Sequence, residues 1–189
     1  MNEYDVLIVG TGPAGIFAAR ELVAQDLKVV MIDKGKPLEE RKCPLKEGLV
    51  RQCIHCKPCS VICGWGGAGA FSDGKLTLTP EFGGNLERYI GRARLESLID
   101  RVDEAYVSYG ADMPVYTPDQ NFAGEVARKA RFAGLRIVPA SIRHMGTDRS
   151  KEVLSAVYRD LSSKCDILIN TEVDCVLLDG GKPKGVRLI

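Results

Sequence analysis

The sequence has no apolar run approaching the roughly 20 residues needed to cross a bilayer as a helix. It has no excess of either charge, with a formal net charge of +1. Without a basic surplus there is no electrostatic case for a nucleic-acid partner, and no acidic tail suggests a solvating segment. Histidine is scarce: His55 and His144 are the only two. The opening Met1-Asn2-Glu3-Tyr4-Asp5 carries acid where a secretion signal carries base. These absences predict a cytoplasmic protein with neither a membrane nor a nucleic-acid partner.

What is present is ordinary for a globular chain. The 189 residues are 45% hydrophobic and 27% charged, enough for one sizeable core and tight for two full domains. The unusual feature is cysteine. There are seven, and five of them (Cys43, Cys53, Cys56, Cys59 and Cys63) fall within 21 residues. In a reducing compartment such clustering points away from a disulfide framework and toward metal, iron–sulfur or thiol redox chemistry.

Apolar runs and turn residues set the expected elements. Tyr4–Val9 and Lys28–Asp33 read as buried parallel strands. Pro13–Gln25 between them reads as a helix, with Ile16, Ala19, Leu22 and Val23 along one face. The next 47 residues, Lys34–Pro80, are rich in Cys, Gly, Pro and Lys and have no long period, so a functional loop is expected there. Helices are predicted over Leu95–Tyr109, Asp119–Ala133 (ending at Gly134) and Asp148–Ser163, the last with Thr147 as N-cap. Tyr116-Thr117-Pro118 reads as a turn. Leu135–Val138 and Ile167–Ile169 are strand candidates. Val173–Leu178 and Gly185–Leu188 read as a hairpin across Asp179-Gly180-Gly181. Alternating α and β elements predict a doubly wound sheet. The chain ends on a strand, Gly185-Val186-Arg187-Leu188-Ile189, whose last residue is apolar, which suggests a piece of a longer protein.

Gly10-Thr11-Gly12-Pro13-Ala14-Gly15 is the first motif that carries chemistry. Gly-x-Gly-x-x-Gly alone is weak, but here it follows a strand, opens a helix and is followed by an acid, Asp33, at the end of the next strand. Gly10 would permit the turn, Gly12 a close approach of a diphosphate, and Gly15 close helix–strand packing. The helix N-terminus offers N–H groups and partial positive charge. Asp33 would accept from a ribose diol and disfavour a 2′-phosphate. The position near the start of the chain and the Pro13-Ala14 pair favour FAD over NAD. The alternative is a glycine turn that binds nothing.

Cys53-x-x-Cys56-x-x-Cys59-x-x-x-Cys63 has the spacing of a bacterial ferredoxin run, as for a [4Fe–4S] cluster, although Gly64 stands where ferredoxins carry proline. A single cluster would take its fourth thiolate from Cys63 or Cys43. Zinc, thiol redox chemistry beside a flavin, and incidental cysteines remain open; Lys42 and Lys57 would favour thiolates. Cys165 and Cys175, at strand edges, read as small buried hydrophobes. A second glycine-rich loop, Gly64–Lys75, follows directly, and its N–H groups could face a diphosphate or flavin ring. A mobile loop is the other reading. His144 reads as a surface or capping residue ahead of an acid–base one.

Together these stretches resemble a bacterial family of FAD-dependent dehydrogenases, NAD(P)/FAD-dependent oxidoreductases with the glutathione-reductase-like FAD fold. The resemblance is carried by Tyr4–Gly15, Glu40-Arg41-Lys42-Cys43-Pro44, Cys53–Cys63, Gly64–Leu76, Ile142–Asp148 and Asn170–Val173. It implies an α/β, Rossmann-like FAD/NAD(P)-binding fold with a parallel sheet, a β-meander near the C-terminus and a Cys- and Gly-rich insertion at 43–75 in one FAD-binding domain over 1–189. It implies FAD held by Gly10, Gly12, Pro13, Ala14, Gly15, Asp33 and Lys34. Gly66, Gly67 and Ala68 would approach the flavin, and the Val173 backbone the adenine. Hydride would pass between FAD and a small-molecule substrate or NAD(P)H; the alternative is a flavin- or metal-binding redox sensor or regulatory module without turnover. Asp33 stands where many relatives carry Glu, and family members are longer.

Overall fold

The computed structural model describes residues 3–189; Met1 and Asn2 of the acidic N-terminal segment lie outside the described residues. In chain order the elements are β1 (Val6–Val9), α1 (Pro13–Val23), β2 (Val29–Ile32), β3 (Lys75–Thr77), α2 (Glu87–Ile90), α3 (Arg92–Ser108), β4 (Val115–Tyr116), α4 (Gln120–Phe132), β5 (Ile142–His144), α5 (Gly146–Ser162), β6 (Asp166–Leu168), β7 (Val173–Asp179) and β8 (Lys182–Leu188). Short 3₁₀ turns occupy Leu38–Glu40 and Gly67–Phe71. The chain divides into two compact units, one made of the segment up to Ser72 with Leu154–Ile189, the other of Asp73–Val153. No helix among the described residues is long and apolar enough to cross a membrane.

The first unit holds a parallel sheet in the order β1-β2-β6. Strand β2 lies between the other two, so Val29, Val30, Met31 and Ile32 are all buried, as an unbroken apolar strand requires. Burial of side chains of this size stabilises by about 1.5–3 kcal/mol each. Ile16 and Ala19 of α1 and Val157 and Leu161 of α5 are buried in the same unit. Strand β1 is less covered than expected. Val6–Ile8 are partly buried and Val9 is exposed, because β1 pairs on one edge only among the described residues. The β7–β8 hairpin forms where the sequence places it, with Gly180 at φ +56° and Gly181 at φ +78°. Two successive positive-φ residues are what a two-residue hairpin turn of the right twist demands. These two strands stand where a meander was expected.

The second unit contains an antiparallel sheet, β3-β5-β4. Arg143 on β5 grips Asp103 on α3 with both prongs, Nε to Oδ1 at 2.6 Å and Nη2 to Oδ2 at 2.7 Å, and also donates to the Met113 carbonyl. Helix α4 begins as predicted, with the Asp119 carboxylate accepting from the Phe122 N–H at 2.9 Å. It ends in a Schellman closure: Gly134 at φ +72° donates to Arg131 and Leu135 to Ala130.

Three local expectations change. Leu135–Val138 is not a strand: the Leu135 N–H is engaged in closing α4, and Pro139, directly after Val138, has no N–H to extend a ladder. Tyr116 belongs to the short strand β4 before the chain turns. Helix α5 begins at Gly146, so Thr147 lies inside its first turn and not at the cap.

Candidate cofactor site

The first unit gathers four stretches of chain around the end of β2: the loop from Gly10 to Gly15, residues Asp33–Gly35, residues Gly64–Gly67, and the approach to β7. Strand β1 ends at Val9, and Gly10 turns the chain at φ +104° with its N–H on the Ile32 carbonyl at 2.7 Å. Pro13 opens α1. Its N-cap, Gly12, has no side chain to offer, and the first turn carries no acid. The leading N–H groups of this helix therefore have no side-chain cap and present partial positive charge beside the exposed Pro13 and Ala14.

The glycines divide by role. A Cβ on Gly15 would lie 2.1 Å from the Gly10 carbonyl oxygen and 3.2 Å from Ile8 Cγ2. The fold itself demands glycine there, since β1 and α1 cross against that atom. A Cβ on Gly12 would meet only the Gly67 Cα, at 3.9 Å, which is ordinary contact. Packing leaves Gly12 free to be another residue, and its openness fits a ligand that approaches the backbone.

The second glycine loop lies against the first. The Gly66 N–H donates to the Thr11 carbonyl at 2.9 Å. Gly67, at φ +55°, sits so close that a Cβ on it would be 3.0 Å from the Gly12 Cα. Ala68 follows, exposed. Trp65 anchors this loop: it is 1% exposed, its indole N–H donates to the Leu154 carbonyl at 2.8 Å, and its ring meets Tyr158 edge-on at 5.0 Å. The buried Arg41 donates to the carbonyls of Ser60, Val61 and Trp65, and its guanidinium lies 5.1 Å from the Phe71 ring centre. Arg41 thus ties the last cysteine turn to the loop.

Asp33 is buried at the centre of this arrangement. Its Oδ2 accepts from the Thr11 N–H at 2.8 Å and the Thr11 hydroxyl at 2.9 Å; its Oδ1 accepts from the N–H groups of Gly35 and Gly64, both at 2.8 Å. Burial alone would push this carboxyl up. Hydrogen bonds from Thr11, Gly35 and Gly64 outweigh that and hold it below the usual carboxylate range, so it is ionised at neutral pH. Lys34 is exposed and pairs with Glu172 at 3.2 Å; that hydrogen bond and charge hold its ammonium above the usual range. Thr171 donates to the Asp33 carbonyl and Asn170 to the Gly35 carbonyl, both at 2.9 Å, which brings Val173 at the start of β7 to the same end of the sheet.

Among the described residues no three Cys, His, Asp or Glu side chains are grouped closely enough to hold a metal ion, Cys53, Cys56, Cys59 and Cys63 included. Cys53 is exposed, while the other three are partly buried. Cys59 and Cys63 share one turn of chain, with the Cys63 N–H on the Cys59 carbonyl at 2.9 Å, and both lie near the Arg41 guanidinium. Cys165 and Cys175 are partly buried, and burial, with Asp166 beside it, pushes the Cys165 thiol up. His144 is exposed on β5 opposite Lys75.

Sequence reasoning missed Gly35, Arg41, Trp65 and Thr11 as parts of this site. Gly35 two residues after Asp33 was the one available local signal. Arg41 and Trp65 act through partners 19–24 and 89 residues away, which no local pattern encodes.

Comparison with known proteins agrees with this geometry. Over 71 residues the chain is 39% identical to an uncharacterized protein of Clostridium beijerinckii, covering 38% of this chain and 13% of that protein. Glycine oxidase from Bacillus cereus superposes with a TM-score of 0.53 at 15% identity, over 98% of this chain and 53% of the oxidase. The 3-ketosteroid-Δ4-(5α)-dehydrogenase of Rhodococcus jostii superposes at 0.55 and 16% identity, over 100% of this chain and 43% of the dehydrogenase. At such identities the likeness is one of fold, and the chain spans about half or less of each protein. Residues 4–105 match the family described as pyridine nucleotide-disulphide oxidoreductase, more than half of the 189, and the chain belongs to that family.

Proposed function

We propose that this chain forms the FAD-gripping part of an FAD-dependent oxidoreductase acting on a small-molecule substrate, with NAD(P)H as its electron donor. The observation that carries this reading is the uncapped N-terminus of α1, opened by a glycine that packing does not require and overlaid by a second glycine loop. The residues fit a dinucleotide. The N–H groups behind Gly12, Pro13, Ala14 and Gly15 would hold the diphosphate. Gly66, Gly67 and Ala68 would face the isoalloxazine side, and the Val173 backbone the adenine. When bound, FAD supplies the hydride chemistry; the chain's own work is to bind, orient and shield it.

Replacing Gly12 tests this directly. In Gly12→Ala the new Cβ makes only an ordinary contact with Gly67. Thermal stability is expected to stay within about 0.5 kcal/mol of the parent, while flavin affinity falls by about tenfold or more, a loss of about 1.4 kcal/mol or more. Equilibrium dialysis against FAD measures it. Unchanged affinity would remove the diphosphate from this loop.

The cysteine segment is assigned to the same redox function, through a cluster or through thiols. Its spacing supports the cluster, whereas the shared turn of Cys59 and Cys63 beside Arg41 favours thiols. Anaerobic purification separates the two. About four iron and four sulfide per flavin would establish the cluster. A long-wavelength flavin–thiolate charge-transfer band without iron would establish the thiols.

A further inference from the structure

We infer that Asp33 does not grip the adenosine ribose but is a positioning residue, an anionic clamp that seats the second glycine loop on the first. This rests on the FAD reading above and departs from the role expected of an acid at the end of β2.

The argument starts from valence. A carboxylate offers about four lone-pair directions. Asp33 fills four with protein donors: two from Thr11, one from Gly35 and one from Gly64, at 2.8–2.9 Å. None is left for a diol, and the side chain is buried. A ribose hydroxyl could bind only by displacing an internal donor, which would leave a buried N–H or the buried Thr11 hydroxyl unpaired.

The donors are also the right ones for a clamp. They lie 22, 2 and 31 residues from Asp33 in sequence, so one carboxylate joins three separate backbones. Thr11 belongs to the first glycine loop and Gly64 begins the second. From Gly64 the chain passes through Trp65 to Gly66, which donates to the Thr11 carbonyl, and then to Gly67 against Gly12. The backbones of Gly35 and Gly64 press together so closely that a Cβ on Gly35 would lie 2.2 Å from the Gly64 nitrogen. That approach is what lets both N–H groups reach one oxygen. The short reach of Asp suits it. A glutamate would overshoot these donors, though it would extend further toward a ribose.

The two roles make opposite forecasts, tested with the purified protein and two probes, FAD and its 2′-deoxyadenosine analogue. For the clamp, the parent binds both within about twofold, and Asp33→Ala and Asp33→Glu each weaken both probes equally, by tenfold or more. For a ribose grip, the parent prefers FAD by tenfold or more, Asp33→Ala erases that preference, and Asp33→Glu restores it; this result would overturn the inference. Hydrogen exchange on flavin-free protein gives a second reading. The Thr11, Gly35 and Gly64 amides should exchange at least tenfold faster in Asp33→Glu, with the amides of the second unit unchanged. Unaltered exchange at all three would also overturn it. If the parent binds neither probe, the FAD reading fails, while the exchange result still decides the clamp.

Discussion

Gly35→Ala is expected to destabilise the protein by about 3 kcal/mol, the upper end of what overpacking ordinarily costs. Gly35 does not adopt a left-handed conformation, so the reason is not backbone freedom. An added Cβ would lie 2.2 Å from the Cys63 carbonyl carbon, 2.2 Å from the Gly64 nitrogen and 2.6 Å from the Cys63 oxygen. All three are backbone atoms and cannot rotate aside. Relief requires the two strands of chain to part, which breaks the Gly64 hydrogen bond to Asp33 and the Trp65 hydrogen bond to the Lys36 carbonyl. A urea titration should show the midpoint lowered by more than 1 M, taking a slope of about 2 kcal/mol per M. Gly124→Ala is the contrasting control. Gly124 is exposed within α4 with nothing near its missing Cβ, so alanine there should stabilise by about 0.5–1 kcal/mol. A Gly35→Ala protein as stable as its parent would show that these backbones do not cross as described.

Trp65→Ala is expected to cost about 3–5 kcal/mol, the range for removing a large aromatic from a core. Trp65 is almost wholly buried, packs edge-on against Tyr158 and donates to the Leu154 carbonyl. Trp65→Phe should lose much less, about 1–2 kcal/mol, because most of the packing survives and only one hydrogen bond goes. The two variants should also differ in flavin retention. Alanine frees the loop that runs into Gly66 and Gly67, whereas phenylalanine keeps it seated. Trp65 is the sole tryptophan. Its emission in the parent therefore reports on this loop alone, and should shift red when the loop detaches. Equal losses in the two variants would mean that the ring is not the anchor.

The dinucleotide-binding frame was legible in the sequence because its signals are local. An apolar run, three glycines at fixed spacing, a proline at the helix start and an acid after the second strand lie within 33 residues. The end of helix α4 at Gly134 and the Gly180-Gly181 turn were legible for the same reason, as each depends on residues a few positions apart. Leu135–Val138 misled because strand propensity has no effect without a neighbour to pair with. The Cys53–Cys63 spacing names a set of thiols, but where each sulfur lies depends on tertiary contacts that spacing along the chain does not encode. Asp33 was legible from its place after β2, whereas its donors Thr11, Gly35 and Gly64 were not.

By itself the sequence determined the β1–α1–β2 start, the glycine turn between β1 and α1 and the family, since backbone sterics and hydrophobic periodicity act over short distances. Tertiary structure alone decided that Gly64 would meet Asp33, that Trp65 would lock onto α5, and that the second loop would lie on the first. Those contacts join residues 31 and 89 apart, and a buried carboxylate takes whichever donors the fold brings within 3 Å.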